Sequence, residues 1–227
     1  MLYIVGTPLG NMEDLSIRQA KIISSSDIIL SEDTRLTGLL LMSIEKLFHF
    51  KKNTNLQHIA YYKEIEFQKL PYILMELEMG KNIVLISSAG MPIISDPGSL
   101  LLKHVIKKSI PFTVIPGPTA YTTALVYSGF EASSHMFIGF LPKKSSEIKK
   151  VCSHMSAVKS VLPEAVFIAY DSPNRINKTL EIINDSLPQV NICICRELTK
   201  KFEEIVRGKA KDLMKLSYKG EIVVLFS

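Results

Sequence analysis

Residues 83–106 read IVLISSAGMPIISDPGSLLLKHVI: an apolar run, a loop of small residues and prolines, and a helix-like segment. The run 83–86 has the composition of a buried strand, and the spacing of apolar residues in 100–106 favours a helix. The twelve residues between them, 87–98, exceed the about two to six that usually join a strand to a helix. An ordinary turn capped by Asp96 is one interpretation. The length favours the other, a ligand loop at the carboxyl end of a parallel strand.

Strand-like and helix-like segments alternate on both sides of this loop, a pattern typical of an α/β fold. In the first half, the pattern predicts strands at 2–5, 28–30, 83–86 and 111–115, a weaker one at 59–62, and helices at 16–24 and 67–77. In the second half, it predicts strands at 135–140, 165–170, 190–195, 202–206 and 221–226, and helices at 119–128, 145–156, 175–187 and 209–216. Because Pro116-Gly117-Pro118 punctuates the chain, we predict two α/β domains: 1–117 with a parallel sheet and 118–227 with a mixed sheet.

The composition excludes several classes of protein. Of 227 residues, 47% are hydrophobic and 22% charged, an ordinary globular mixture. No apolar run is long enough to cross a membrane, and the first residues enter a strand without a signal-peptide pattern. Three cysteines, Cys152, Cys193 and Cys195, favour a reducing cytoplasm over a disulfide framework. Cys193 and Cys195 are expected to share one face of a strand and to pack in the core.

The net charge of +5 is compatible with an RNA partner but does not establish one. Basic pairs lie at 51–52, 143–144, 149–150 and 200–201. A solvated surface explains each pair alone, so they predict a phosphate track only if they converge in space.

Common site motifs are missing from the sequence. It contains no G-x-G, which argues against a Rossmann dinucleotide site, and neither a G-x-x-x-x-G-K-[ST] loop nor a G-x-S-x-G elbow. The five histidines show no metal-ligand spacing, so we expect no metal site.

Four stretches follow predicted strands of the first half and carry chemistry: 5–11, 31–35, 87–98 and 115–120. The carboxyl ends of parallel strands meet at one edge, so the four stretches are expected to line one cleft. The stretch 31–35 has two interpretations. In the first, Asp33 or Ser31 caps a helix and Arg35 pairs with an acid; in the second, the stretch has a catalytic role. The sequence leaves both open.

These stretches resemble the tetrapyrrole methylase superfamily, and within it the enzymes that methylate ribose 2′-hydroxyls of bacterial small-subunit (16S) ribosomal RNA. The resemblance rests on LYIVGTPLGN at 2–11, EDTR at 32–35, AGMPIISDPG at 89–98, PGP at 116–118, GFLP at 139–142, YDSPNR at 170–175, RELTK at 196–200 and KGE at 219–221. It implies two α/β domains with S-adenosylmethionine in the cleft between them, a homodimer, and methylation of a cytidine ribose without a metal.

The resemblance also implies the roles of individual residues. Cofactor contacts are expected from Pro8, Leu9, Ser88, Ala89, Gly90, Met91, Ile94, Thr119, Ala120, Tyr170, Leu198 and Gly220. The catalytic set is Glu32, Asp33, Arg35 and Glu197, in which a carboxylate accepts the proton of the ribose hydroxyl. Arg175 and Lys200 are expected to hold phosphates of the ribosomal RNA, free or in the 30S subunit.

Two alternatives stay open, and the first of them depends on departures from the family pattern. Members usually carry Asp, Thr, Glu and His where this chain has Ser88, Met91, Asp171 and Asn174. A divergent member that binds S-adenosylmethionine or RNA without catalysis fits these departures. A methyltransferase acting on a small tetrapyrrole-like substrate is the other alternative.

Overall fold

The computed structural model describes residues 1–227 and divides them into two compact units, Met1–Thr119 and Ala120–Ser227. The sequence-based boundary at 117/118 lies two residues away, and the assignment of each unit as a domain stays a prediction. The first unit contains β1 (Leu2–Val5), α1 (Ile17–Ser25), β2 (Ile28–Ser31), α2 (Thr34–Phe48), β3 (Gln57–Ala60), α3 (Glu66–Glu78), β4 (Ile83–Leu85), α4 (Ser99–Lys107) and β5 (Phe112–Ile115), with a 3-10 turn at Met12–Asp14.

The first sheet is fully parallel, with strand order β3-β2-β4-β1-β5. Alternate residues of its strands enter two separate cores. Val5, Ile29 and Val84 pack with α1 and α2, while Ile4, Leu30 and Leu85 pack with α3 and α4. The sheet is therefore a central layer between two pairs of helices.

The strand order reverses between β1 and β4. These neighbouring strands are followed by helices on opposite faces, since α1 covers one face and α4 the other. In open α/β sheets, ligands bind beyond the carboxyl ends of the strands at such a switch point. The loops that follow β1 and β4 are thus placed for binding.

The second unit contains α5 (Ala120–Ser128), β6 (His135–Phe140), α6 (Ser145–Lys159), β7 (Val166–Asp171), α7 (Ile176–Ser186), β8 (Ile192–Arg196), β9 (Glu204–Gly208), α8 (Ala210–Leu213) and β10 (Ile222–Phe226). Its sheet has the order β6-β7-β10-β8-β9 and is mixed, because only β6 and β7 are parallel. One face packs against α6, α7 and α8, and α5 packs against β8 and β10. Cys193 and Cys195 are buried on one face of β8, with their Sγ atoms 3.8 Å apart, as predicted.

The predicted α/β fold class is confirmed, and the differences are local. β3 begins two residues before the predicted strand, because its pairing with β2 fixes its limits although its side chains are largely exposed. β9 is also displaced by two residues, to Glu204–Gly208, by its register with β8. The N-cap of α4 is Gly98, so the interpretation of Asp96 as its cap is wrong. None of the helices combines the length and the apolar character that crossing a bilayer requires.

Candidate functional site

The loops that follow β1 and β4 are joined by a short backbone bridge. The Thr7 amide donates to the Gly90 carbonyl at 2.8 Å, and the Gly90 amide donates to the Thr7 carbonyl at 3.1 Å. The Thr7 hydroxyl also donates to the Ser87 carbonyl at 3.2 Å. Since Thr7 is only 2% exposed, these bonds are shielded from water. They fix the two loops to each other at the switch point of the sheet.

The loop after β5 approaches the same place through glycines. A Cβ atom on Gly6 would lie 2.7 Å from both the Gly117 Cα and the Met91 Sδ. A Cβ atom on Gly90 would lie 3.3 Å from Leu9 Cδ2 and 3.5 Å from the Pro118 carbonyl oxygen. Only glycine permits such close approach of backbone to backbone. Three of the four predicted loops therefore converge, and the fourth, 31–35, follows β2, which pairs with β4 in the same parallel sheet.

The predicted cofactor residues of these loops differ in exposure. Pro8, Leu9 and Gly90 are buried, whereas Ala89, Met91 and Ile94 are half-buried and Ser88 is exposed. The convergence thus offers half-buried aliphatic and thioether groups beside the exposed hydroxyl of Ser88. Such a surface suits a ligand with both apolar and polar parts.

The long loop after β4 has unusual backbone angles. Ile93 and Ser95 have φ values of 74° and 71°, and a positive φ is a genuine outlier for a β-branched residue. Backbone strain of this kind is frequent at ligand sites, and contacts with the surrounding structure must stabilise it. One such contact is the Glu66 carboxylate of α3, which accepts a hydrogen bond from the Gly98 amide at the end of the loop. Sequence reasoning missed Glu66, since no local pattern indicates a contact across 32 residues.

Tyr61 lies directly after β3 and is fully buried. Burial, with the charge of Glu66 second, raises the pKa of its hydroxyl. The phenol is therefore neutral, and its ring fills the core beside α3.

At the end of β2, Asp33 is the N-cap of α2. Its carboxylate accepts from the Arg35 amide at 2.8 Å and pairs with Arg35 Nη2 at 3.1 Å. The side-chain hydrogen bond with Arg35 is the main reason that the pKa of Asp33 is lowered. The structural interpretation of Asp33 and Arg35 is thus confirmed, while the Ser31 hydroxyl accepts from Thr37 at 2.7 Å instead of capping. The Arg35 side chain is 89% exposed, so it stays accessible to an anion.

Glu32 differs from its neighbour Asp33. Although Glu32 is exposed, neighbouring atoms remove part of its hydration, and this desolvation, reinforced by the negative charge of Glu64, raises its pKa. Its carboxylate takes part in none of the ion pairs of the chain. A carboxylate with a raised pKa is a stronger base than an ordinary one, so Glu32 is the better proton acceptor at this edge.

In the second unit, the antiparallel pairing of the central strands brings a second set of predicted residues to one edge of the sheet. Ile222, at the start of β10, pairs with Asp171 at the end of β7 and with Arg196 at the end of β8. Tyr170, Leu198 and Gly220 therefore lie at one edge of this sheet. The Tyr170 ring contacts Phe137 and Phe140, with ring centroids 4.9 and 5.3 Å away. Thr119 closes the first unit and Ala120 begins α5, and both are half-buried.

Arg175 is engaged by Asp171, whose side chain is fully buried. Arg175 Nη2 lies 2.5 Å from Asp171 Oδ1 and the Thr179 hydroxyl donates to Oδ2 at 2.7 Å, while the Arg175 guanidinium also approaches the Leu141 carbonyl at 3.4 Å. A buried charge needs such partners. Sequence reasoning missed this network, because Asp171 ends β7 whereas Thr179 lies in α7, so no single periodicity joins them.

Glu197 and Lys200 form a second network at the same edge. Glu197 Oε1 accepts from the Glu221 amide at 2.9 Å and from Lys200 Nζ at 3.1 Å, and Lys200 also pairs with Glu221 at 2.8 Å. The Glu221 amide, and after it Lys200, lowers the pKa of Glu197. A carboxylate so stabilised is a weak base. The geometry therefore gives Glu197 and Lys200 a structural role, because they hold the loop after β8 against Glu221, the residue before β10.

The chain is similar in sequence to known proteins along essentially its whole length. The chain matches the family described as Tetrapyrrole (Corrin/Porphyrin) Methylases over residues 1–214. Among curated proteins, it is 40% identical over 233 residues to "Ribosomal RNA small subunit methyltransferase I" of Hydrogenobaculum sp. (strain Y04AAS1), covering 100% of this chain and 95% of the relative. The protein of the same name from Thermotoga maritima is 36% identical over 231 residues, covering 100% and 97%.

Solved structures show the same fold at low sequence identity. The methyltransferase CobJ superimposes with a TM-score of 0.71 at 16% identity, covering 100% of this chain and 93% of its own. Diphthine synthase superimposes with a TM-score of 0.68 at 13% identity, covering 100% and 89%. The curated relatives that match along the whole chain are named as ribosomal RNA methyltransferases. They therefore do not favour either alternative from the sequence, a tetrapyrrole substrate or a family member without catalysis.

Proposed function

The chain belongs to the tetrapyrrole (corrin/porphyrin) methylase family, and we propose that it transfers a methyl group from S-adenosylmethionine to the ribose 2′-hydroxyl of a cytidine in small-subunit (16S) ribosomal RNA. The observation that carries the proposal is the identity of 35–40%, over essentially the whole chain, to proteins named ribosomal RNA small subunit methyltransferase I. The family resemblance that the sequence motifs indicated is thereby confirmed.

The residues at the switch point fit S-adenosylmethionine. Ala89, Met91 and Ile94 offer half-buried apolar surface for the nucleoside, and Ser88 offers an exposed hydroxyl for a polar group. The glycine contacts around Gly6 and Gly90 supply backbone that a ligand approaches closely. In the second unit, Tyr170, Leu198 and Gly220 are proposed to contribute further contacts. When bound, S-adenosylmethionine supplies an electrophilic methyl group, so the transfer calls for no metal ion.

Glu32 is proposed to accept the proton of the ribose hydroxyl. Its raised pKa makes it a stronger base than its neighbours: Arg35 lowers the pKa of Asp33, and the Glu221 amide, with Lys200 after it, lowers the pKa of Glu197. Arg35, with its exposed guanidinium, is proposed to bind a phosphate of the RNA and so align the ribose. Asp33 is a positioning residue for Arg35.

The proposal includes the assembly of the protein and its place in the cell. The partner is the small ribosomal subunit or its RNA and the protein is a homodimer, as the family resemblance implies, and the sparse cysteines favour the cytoplasm as the location. Sedimentation of the purified protein tests the dimer independently of activity.

Methyl transfer tests the proposal directly. Small ribosomal subunits from cells that lack this protein are incubated with radiolabelled S-adenosylmethionine and the purified chain, and ribose methylation is mapped on the RNA. We expect one new 2′-O-methylated cytidine. Glu32→Gln should reduce kcat about hundredfold or more with unchanged S-adenosylmethionine affinity, and Glu13→Gln, on the exposed 3-10 turn, is the matched control.

Three results would contradict parts of this proposal. Transfer to a tetrapyrrole instead of RNA would overturn the substrate. Cofactor binding by calorimetry without transfer to any subunit preparation would overturn catalysis. Full activity of Glu32→Gln would remove Glu32 from the mechanism.

A further inference from the structure

The loop between β8 and β9, residues 197–203, is rigid and strained. Glu197 and Thr199 have positive φ values of 50° and 65°, a conformation that costs a non-glycine residue free energy. The Thr199 amide donates to Glu203 Oε2 at 2.6 Å, and the Lys200 amide donates to the Glu197 carbonyl at 2.9 Å. The Glu203 amide donates to the Lys200 carbonyl at 3.1 Å. The loop is thus held in one shape although it lies at the surface.

This rigid loop presents Lys201 and Phe202 to the solvent. Phe202 is 64% exposed, so most of this large apolar residue stays in contact with water. Lys201 Nζ lies 5.6 Å from the centroid of that ring. Lys200, in contrast, is directed into its ion pairs with Glu197 and Glu221. Of the basic pair 200–201, only Lys201 remains available to an external anion.

The carboxylates around the loop are already engaged. Glu197 is paired with Lys200, and Glu204 is paired with Arg196 at 2.6 Å. Glu203 accepts from the Thr199 amide and from the Tyr127 hydroxyl at 3.0 Å. The two ion pairs reduce the repulsion that an anionic ligand would meet beside Lys201.

We infer that Lys201 and Phe202 form a contact for single-stranded RNA, with the Phe202 ring stacking on an unpaired base and Lys201 Nζ binding an adjacent phosphate. Proteins recognise unpaired RNA by such aromatic platforms beside cations. The inference rests on the proposed function and assigns to its RNA substrate a contact in the second unit. A single ring beside a lysine is a poor protein–protein interface, since lysine is depleted from such interfaces.

The test compares Phe202→Ala, Phe202→Trp and Lys201→Ala with the wild-type chain. We expect Phe202→Ala to weaken binding of a single-stranded oligoribonucleotide of small-subunit sequence about five- to hundredfold, and to raise KM for small subunits with little change in kcat. Phe202→Trp should retain both, because its ring also stacks. Lys201→Ala should reduce the slope of log affinity against log salt by about one.

Matched controls come from the far edge of the same unit. Val161→Ala removes apolar surface that is 78% exposed, and Lys211→Ala removes an exposed cation of α8. Both should leave oligonucleotide binding unchanged, and all variants should keep wild-type affinity for S-adenosylmethionine and wild-type melting temperature.

The outcomes separate this inference from the proposed function. Unchanged oligonucleotide affinity and KM in Phe202→Ala would overturn the inference, while wild-type methylation of subunits would leave the proposed function intact. A change in sedimentation without a change in RNA affinity would overturn it in favour of contact with a second copy. If the wild-type chain methylates no subunit, the proposed function fails, and the oligonucleotide measurement still decides whether Phe202 binds RNA.

Discussion

Replacing Gly220 by alanine should destabilise the second unit through the carboxylate of Glu197. Gly220 has a φ of +80°, and an added Cβ would lie 2.3 Å from Glu197 Oε1 and 2.4 Å from its Cδ. No van der Waals contact is that short, so the carboxylate must move. It would then lose the Glu221 amide and Lys200 Nζ, now 2.9 and 3.1 Å away.

The expected size follows from two contributions. Alanine at a positive φ costs about 1 kcal/mol. The displaced carboxylate loses two charge-assisted hydrogen bonds, which contribute about 0.5–1 kcal/mol each at a partly exposed site. Gly220→Ala should therefore lower the free energy of unfolding by about 2–3 kcal/mol.

A matched glycine separates the two contributions. Gly129 also has a positive φ, +69°, but a Cβ there would have no atom within 4 Å. Gly129→Ala should cost about 1 kcal/mol, measured by urea denaturation followed by circular dichroism. In the background of Glu197→Ala, the cost of Gly220→Ala should fall to that of Gly129→Ala. Equal costs for the two glycine variants in the wild-type background would refute this reasoning.

Three further predictions concern charged groups. Thr179→Val removes a donor from the buried Asp171 carboxylate and should lower the free energy of unfolding by about 2 kcal/mol, measured by urea denaturation; an unchanged midpoint would contradict it. Glu64→Gln should lower the raised pKa of Glu32 and move the acid limb of the kcat/KM profile to lower pH; an unmoved limb would exclude Glu32 as the titrating base. Because the pKa of Glu197 is lowered, its stabilising contribution is present above its unfolded pKa, about 4.3, and is lost as pH falls through the folded pKa. Glu197→Gln should flatten that loss in melting temperatures recorded between about pH 2 and 6, and an unaltered profile would argue against it.

The features that the sequence predicts best depend on local patterns. Apolar β-branched runs located β1, β2 and β4, because buried parallel strands are uniformly apolar. The alternation of strands with helices then placed the loops at 5–11, 87–98 and 115–120 at one edge, and the close approaches of Gly6 to Gly117 and of Gly90 to Pro118 agree with that placement.

Features that depend on distant partners were not predictable. Glu66 reaches Gly98 only because α3 and α4 pack side by side on one face of the sheet. β3 is short and largely exposed, so its limits come from pairing with β2 and not from its own composition. Asp96 is a residue type that is common at N-caps. The N-cap of α4 is nevertheless Gly98, which follows the strained backbone of Ile93 and Ser95.

The position of β10 determines when the second unit is able to form during protein synthesis. This strand, Ile222–Phe226, lies between β7 and β8 at the centre of its sheet and pairs with both along its whole length. Until it emerges from the ribosome, β6 and β7 have no connection through the sheet to β8 and β9. The first sheet has no such requirement, because its last strand, β5, ends at Ile115. A nascent chain therefore completes its first sheet while still being translated, whereas a stop codon before Ile222 divides the second sheet into two halves.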